Sequence, residues 1–356
     1  MSTGEKPAPG PRRSLWLAML GVALLVSLLL GEILLRAAGR EPWRAVGPPA
    51  HEPILFSADP ALGWRLKPGR HRYRGYSRGA PPIRTTLLED GSRTTGFRGE
   101  ASENLLLLGG SFVQGWGLSD EQTLAWQLQK LHPGAHVLNY GTGGYGTYQS
   151  LLLLEEILAT PDPPEAVVYG FVPLHEMRNV AEPGWLHSLA LGSRSGLASV
   201  PFASLDPEGR LVRHPPARYP TWPLREQLSL VAFAESVFVE ARAGDRGARA
   251  REVTLRALLE MNARCLEQGS RFVVAFLWTA PGQRVAYRQG TNPEIETFRG
   301  DLYERALREG QIPFVDCSHV LTPELSIPGD GHPGPEVNAF WADCLSRRLQ
   351  ALGLLH

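Results

Sequence analysis

Between residues 103 and 352 the chain alternates short, wholly apolar runs with longer stretches of helical spacing. The run 104–108 (NLLLL) is ended by Gly109-Gly110, and 135–140, 166–171, 272–277 and 312–316 repeat the theme. Between them, 121–131, 147–158, 251–268, 295–309 and 335–352 set apolar side chains three and four positions apart. Strands apolar on both faces belong to parallel sheets covered on both sides. Strands alternating with helices give the α/β class. The pattern therefore predicts a three-layer α/β/α sandwich on a five-stranded parallel sheet. Right-handed crossovers bring every strand's C-terminal end to one edge, the edge where open α/β sheets bind ligands. The alternation lapses over 173–250, which reads as an insertion in a domain spanning 101–352.

The N-terminal part has a different pattern. Residues 15–31 (LWLAMLGVALLVSLLLG) are uncharged and almost wholly apolar, and after Glu32 the run resumes to Leu35. That length matches the ~20 residues a helix needs to cross a bilayer. Glu32 falls near one interface, where a charge costs less than at the centre. Lys6, Arg12 and Arg13 precede the run, and no small-x-small cleavage site follows it. A basic start with a long apolar core fits an uncleaved signal anchor over 15–36, with 1–14 as a cytoplasmic tail. The chain would then be single-pass, with the domain at 101–352 on the extracytoplasmic side. Residues 37–100 are rich in Pro, Gly and Arg and carry short β-like pieces at 71–76 and 83–88, with Asp90-Gly91 as a hairpin turn between the second piece and 92–95. They read as a stalk and a small β appendage.

Composition narrows the function. Lys+Arg and Asp+Glu both number 36 in 356 residues, so no net basic charge argues for nucleic acid. The three cysteines, Cys265, Cys317 and Cys344, form no CxxC pair and have no histidine at zinc-finger spacing. Cys317 and Cys344 could pair outside the cytosol, or all three could be buried thiols. No motif calls for a cofactor or a metal.

Three motifs carry chemistry, each after a predicted strand. Gly109-Gly110-Ser111-Phe112 follows the first strand and offers a serine in a glycine turn. It is not a GxSxG elbow, because Val113 stands in the place of the second glycine, and no Gly-Lys-Ser/Thr follows to make a P-loop. Residues 139–146 (NYGTGGYG) follow the second strand and offer backbone N–H groups to an oxyanion, or a plain turn to a helix. Asp330-Gly331-His332-Pro333 follows the fifth strand, where an acid two residues from a histidine can hold the imidazole in one tautomer. The predicted topology brings all three to one sheet edge, where a serine nucleophile and its base could meet.

Taken together these residues resemble the SGNH/GDSL hydrolase family. Gly109-Gly110-Ser111 is similar to its first block, with Gly110 where the family usually has Asp. Asn139-x-Gly141-x-x-Gly144 is similar to the second, and Asp330-x-His332 to the last, in the shortened form of membrane-anchored members. Residues 95–100 (TGFRGE) resemble the approach to the first block in those members. The resemblance covers roughly 90–352 and implies a flavodoxin-like sheet. It implies Ser111 as nucleophile, His332 as base and Asp330 as its supporting acid, with the N–H groups of Ser111 and Gly144 as oxyanion donors. The third block departs from the family: 171–179 (FVPLHEMRN) has no Asn at the place that donates to the oxyanion. Leu174 or His175 occupies it and Asn179 falls too late, so His175 is the candidate replacement. The implied activity is hydrolysis of a small, acetyl-like acyl ester. Alternatives are O-acyl transfer to an envelope polysaccharide or glycolipid, and a non-catalytic carbohydrate-binding relic.

Overall fold

The structure is a computed structural model. It describes residues 11–42, 55–101, 103–192, 198–244, 246–279, 284–286, 294–296 and 300–355. The first ten residues of the expected tail and 43–54 of the expected stalk lie outside the described residues.

Five parallel strands form the main sheet: β1 (Glu103–Gly109), β2 (Ala135–Asn139), β3 (Ala166–Phe171), β4 (Arg271–Phe276) and β5 (Phe314–Asp316). Their spatial order is β5-β4-β3-β1-β2, the flavodoxin-like order with its switch point between β1 and β3. From Leu105 onward β1 is buried on both faces, as is the whole of β3, which is why these strands read as unbroken apolar runs.

Helices α1 (Leu124–Leu131), α2 (Thr147–Leu158), α3 (Ala250–Glu267) and α4 (Gly300–Glu309) lie in the crossovers, and α5 (Pro335–Ala351) follows the last strand. On one face Leu105, Leu107, Val168 and Val273 share a core with Leu128 of α1 and Trp341 and Leu345 of α5. Side chains alternate across a strand, so Leu106, Leu108 and Val167, all buried, turn to the other face, where α2 and α3 pack together. The first turn of the stretch 121–131 is a 3-10 turn, Asp120–Gln122, before α1 begins. The stretch 295–309 is shorter as a helix than its spacing predicts, since Glu294–Glu296 pairs as a strand with Arg284–Ala286. Cys317 and Cys344 are joined in a disulfide that ties the end of β5 to α5, and Cys265 is a buried free thiol.

The chain divides into two compact units. One holds Gly47–Tyr219 and Ala243–His356. It contains the sheet and three antiparallel hairpins: Phe56–Asp59 with Gly63–Leu66, Gly69–Tyr73 with Ile83–Leu87, and Val200–Leu205 with Leu211–Ala217. The Asp90-Gly91 turn is followed by Arg93, which bridges Leu87 on one side and Asn139 of β2 on the other. Much of 37–100 is thus built into the sheet unit. The other unit holds Met1–Val46 and Pro220–Arg242. Its long helix, Pro11–Ala37, is long and apolar enough to cross a membrane over Ser14–Ala37. Residues 220–242, which the sequence placed inside the insertion, group with this helix.

Candidate active site

The loop after β1 sets the serine. Gly109 ends the strand with φ 153°, and Gly110 caps the short helix Ser111–Gln114 that follows. The turn beyond it is held by Arg93. This buried guanidinium donates to the carbonyls of Gln114, Gly115 and Leu118 at 3.0, 2.7 and 2.7 Å and to Asp120 Oδ1 at 2.9 Å. A buried arginine with every direction satisfied fixes the backbone around it.

The histidine comes from a tight turn before α5. The N–H groups of Asp330 and Gly331 both donate to the carbonyl of Ile327, and Gly331 takes φ 87°. Pro335 in the first turn of α5 suits its fixed φ to the helix start. The turn lets Asp330 Oδ2 accept from both the Nδ1 and the backbone N–H of His332, at 2.6 and 3.1 Å. His332 Nε2 lies 2.9 Å from Ser111 Oγ. The three sequence-predicted residues therefore form one hydrogen-bonded chain. Burial pushes the Asp330 carboxyl up, but its bonds to His332 and to Trp116 hold it below the usual carboxylate range. Trp116 Nε1 donates to Asp330 Oδ1 at 3.3 Å, and Phe112 meets the His332 ring edge-on while stacking on Trp341.

The loop after β2 is held against the serine turn by Gln114, whose Oε1 accepts from Gly143 N–H at 2.7 Å. Tyr145 N–H returns to the carbonyl of Thr142, and Gly144 takes φ 83°, the arrangement of a type II turn with its glycine in third place. The carbonyl of Gly143 accepts from Trp64 Nε1 at 2.9 Å. In a planar trans peptide the N–H points away from the C=O, so Trp64 fixes the direction of the Gly144 N–H. A Cβ on Gly144 would stand 2.9 Å from the Trp64 ring and 3.5 Å from the Trp185 ring, so two indoles wall this glycine.

The third block behaves differently from its sequence expectation. His175 is 1% exposed, and burial, seconded by the charge of Arg178, holds its pKa well below the ordinary value. Its Nδ1 bonds the Tyr169 hydroxyl at 2.6 Å, and its Nε2 is buried with no hydrogen-bond partner. That Nε2 sits behind Gly110, 2.9 Å from where a Cβ would be. The structure thus places His175, the candidate replacement for the missing asparagine, behind the serine loop with its Nε2 closed off from solvent. Arg178, one turn further on, lies against the same residue: its Nη1 is 3.2 Å from the Gly110 Cβ position and donates to the Tyr145 carbonyl at 2.9 Å. Its guanidinium stacks 4.6 Å from the Trp185 ring centre. Asn179 is taken up elsewhere, accepting from Tyr148 N–H and donating to Thr254.

Sequence reasoning missed Trp64, Arg93, Gln114 and Trp116. Gln114 and Trp116 fall within five residues of Ser111 and could have been found by proximity. Trp64 and Arg93 reach the site from the hairpin layer, and no spacing rule connects them to it. Among the described residues no group of three or more His, Cys, Asp and Glu could hold a metal ion.

No family model matches the chain, and no curated protein matches it. Solved structures that resemble it include a lipolytic protein of the G-D-S-L family from Veillonella parvula, at 10% identity over 69% of this chain and 98% of that one, TM-score 0.39. A psychrotrophic esterase from Pseudoalteromonas sp. aligns at 9% identity over 70% and 98%, TM-score 0.40. An acetylxylan esterase from Geobacillus stearothermophilus aligns at 13% identity over 70% and 94%, TM-score 0.37.

Proposed function

We propose that this chain is a membrane-anchored serine esterase of the SGNH type, acting on small acyl esters outside the cytoplasm. The observation that carries the reading is the Ser111–His332–Asp330 chain, closed at 2.9 and 2.6 Å. His332 Nε2 takes the proton as Ser111 Oγ attacks the ester carbonyl, and Asp330 holds the imidazole in the tautomer that presents a bare Nε2. The tetrahedral intermediate collapses, its C–O bond breaks, and the alcohol leaves with the proton from His332. Water, deprotonated by the same nitrogen, then releases the acid from the acyl-enzyme.

The N–H groups of Ser111 and Gly144 stabilise the oxyanion, the second aimed by Trp64. Arg178 supplies the contribution that the missing asparagine would make, because its cation lies beside Gly110 and favours negative charge developing there. His175 is a positioning residue. It fills the space that the glycine at 110 leaves, and an Asp in that place, as the family usually has, would collide with it and with Arg178.

The acyl group is small, since Trp64 and Trp185 crowd the Gly144 side of the site. A second reading with the same residues is O-acyl transfer to an envelope glycan, with a sugar hydroxyl in place of water. The disulfide between Cys317 and Cys344 supports an oxidising compartment. With the basic residues ahead of the helix, it supports a topology with 1–14 in the cytoplasm and 15–36 across the membrane.

A fluorophosphonate probe on the full chain in detergent tests the site. Wild-type protein should be labelled at Ser111 and turn over p-nitrophenyl acetate faster than longer-chain esters, while Ser111→Ala does neither. An unlabelled wild type would leave the relic reading. Adding a glycan acceptor separates the other two, because a transferase diverts acetate to the sugar.

A further inference from the structure

Within the N-terminal unit, the helix Ser229–Ala243 is fastened to the end of the apolar helix by a charged side chain. Glu32 accepts from the backbone N–H groups of Ser229 at 3.0 Å and of Leu230 at 2.8 Å, so it caps the second helix. Arg36, paired with Glu32 at 2.7 Å, donates to the Gln227 carbonyl at 2.8 Å. The two helices touch where Gly31 faces Leu230, whose Cδ1 is 3.5 Å from the glycine's Cβ position. The start of the second helix is thus held near one end of the candidate span.

The second helix is two-sided. Glu235 and Val239 are buried, and Glu235 holds Arg225 at 3.2 Å and the Trp222 N–H. On the other side Phe233, Ala234, Val237, Phe238 and Ala241 are exposed, Val237 by 52% and each Phe by 39%. At 100° per residue these five lie within an arc of about 140°. Leu230, the residue against Gly31, falls on the same arc. The bare apolar stripe therefore continues the face that meets the span. Its flanks are cationic and aromatic: Arg40 lies 5.9 Å from the Phe233 ring centre, Arg242 lies 5.4 Å from that of Phe238, and the Trp222 ring is 5.4 Å from Phe238. An apolar stripe rimmed by arginine and tryptophan is the composition of a helix lying in the boundary between head groups and acyl chains.

We propose that Ser229–Ala243 is a second membrane-contacting element, an interfacial helix seated in the lipid around the end of the span. Its apolar stripe is covered by acyl chains, and Arg40 and Arg242 reach the lipid phosphates. This rests on the reading of 15–36 as a transmembrane anchor.

Depth measurement on the full chain tests it. The protein is placed in nanodiscs of phosphatidylcholine and phosphatidylglycerol with an environment-sensitive fluorophore on one introduced cysteine. The sites are Leu20→Cys in the span, Val237→Cys and Phe238→Cys on the stripe, and Glu208→Cys as the exposed reference. Native Cys265 is buried and the other two cysteines are paired, so the introduced thiol takes the label. Nitroxide lipids should quench the labels at 20, 237 and 238 strongly and the label at 208 little. Quenching at 20 with none at 237 and 238 overturns the interfacial helix and leaves the span. Stripe labels that are shielded from water yet unquenched by lipid also overturn it, because protein then covers the stripe. No quenching at 20 removes the span, and the proposal with it.

Discussion

Arg178 and His175 stand one turn apart behind Gly110, and the proposed mechanism gives them different work. Arg178 is 8% exposed and charged, so it can meet a charge that forms in the site, whereas His175 is shut away and neutral. Arg178→Gln should lower kcat by about 10²–10³-fold, the range for one lost oxyanion donor, with KM little changed. His175→Gln should lower kcat far less, and steady-state kinetics of the two variants distinguishes them. His175 also makes a pH prediction whose sign follows from its depressed pKa. Above about pH 6.5 the residue is neutral folded and unfolded, and stability is unaffected. Below that pH the unfolded chain takes a proton that the folded one refuses, so stability falls as pH falls. Asp330, whose pKa is lowered, gives up its contribution only further down, below the ordinary carboxylate value of 3.8. Urea titrations between about pH 6.5 and 4.5 should show a slope for the wild type that is flatter in His175→Gln. The juxtaposition of Ser111, Asp330 and His332 could be expected from the sequence because each stands in a glycine-containing turn after a predicted strand and before a helix. Arg178 reads as too far along the chain from the place of the missing asparagine, and only the helix beginning at His175 brings it one turn away against the same loop.

At the scale of elements, the central strands β1, β3 and β4 could be read closely, since burial on both faces leaves a strand few polar positions. The hairpin layer could not. Its strands are short and mixed in polarity: the Asp90-Gly91 turn does return Arg93 to Leu87, but Ile83–Leu87 also pairs with Gly69–Tyr73, across nine intervening residues. Trp64 and Arg93 belong to that layer, which is why their part in the site was hidden. The disulfide acts at this scale too. It closes a loop of 27 residues that contains Asp330 and His332. Cys344→Ala should reduce stability by about 2–4 kcal/mol, measured by urea unfolding. It should also lower turnover, because the loop presenting His332 then has one fixed end fewer. Unchanged stability would mean that packing of Trp341 and Leu345 alone holds α5.

For the molecule as a whole, the apolar N-terminal helix was the most legible feature and its attachment the least. Composition marks a span, but nothing in residues 15–36 says that a segment nearly two hundred positions away depends on one of them. Glu32 therefore answers to two opposed demands. The machinery that inserts helices into membranes disfavours a carboxylate, so Glu32→Leu should raise insertion efficiency, scored by glycosylation mapping. The same change strips two backbone N–H groups of their acceptor, which costs about 1–3 kcal/mol when they stay buried. Proteolysis of the inserted variant should then cut within 220–242 faster than in the wild type. A screen that ranked variants by insertion alone would enrich Leu at this position and discard the assembled unit unnoticed, which makes Glu32 a residue whose value can be seen only by an assay of the finished protein.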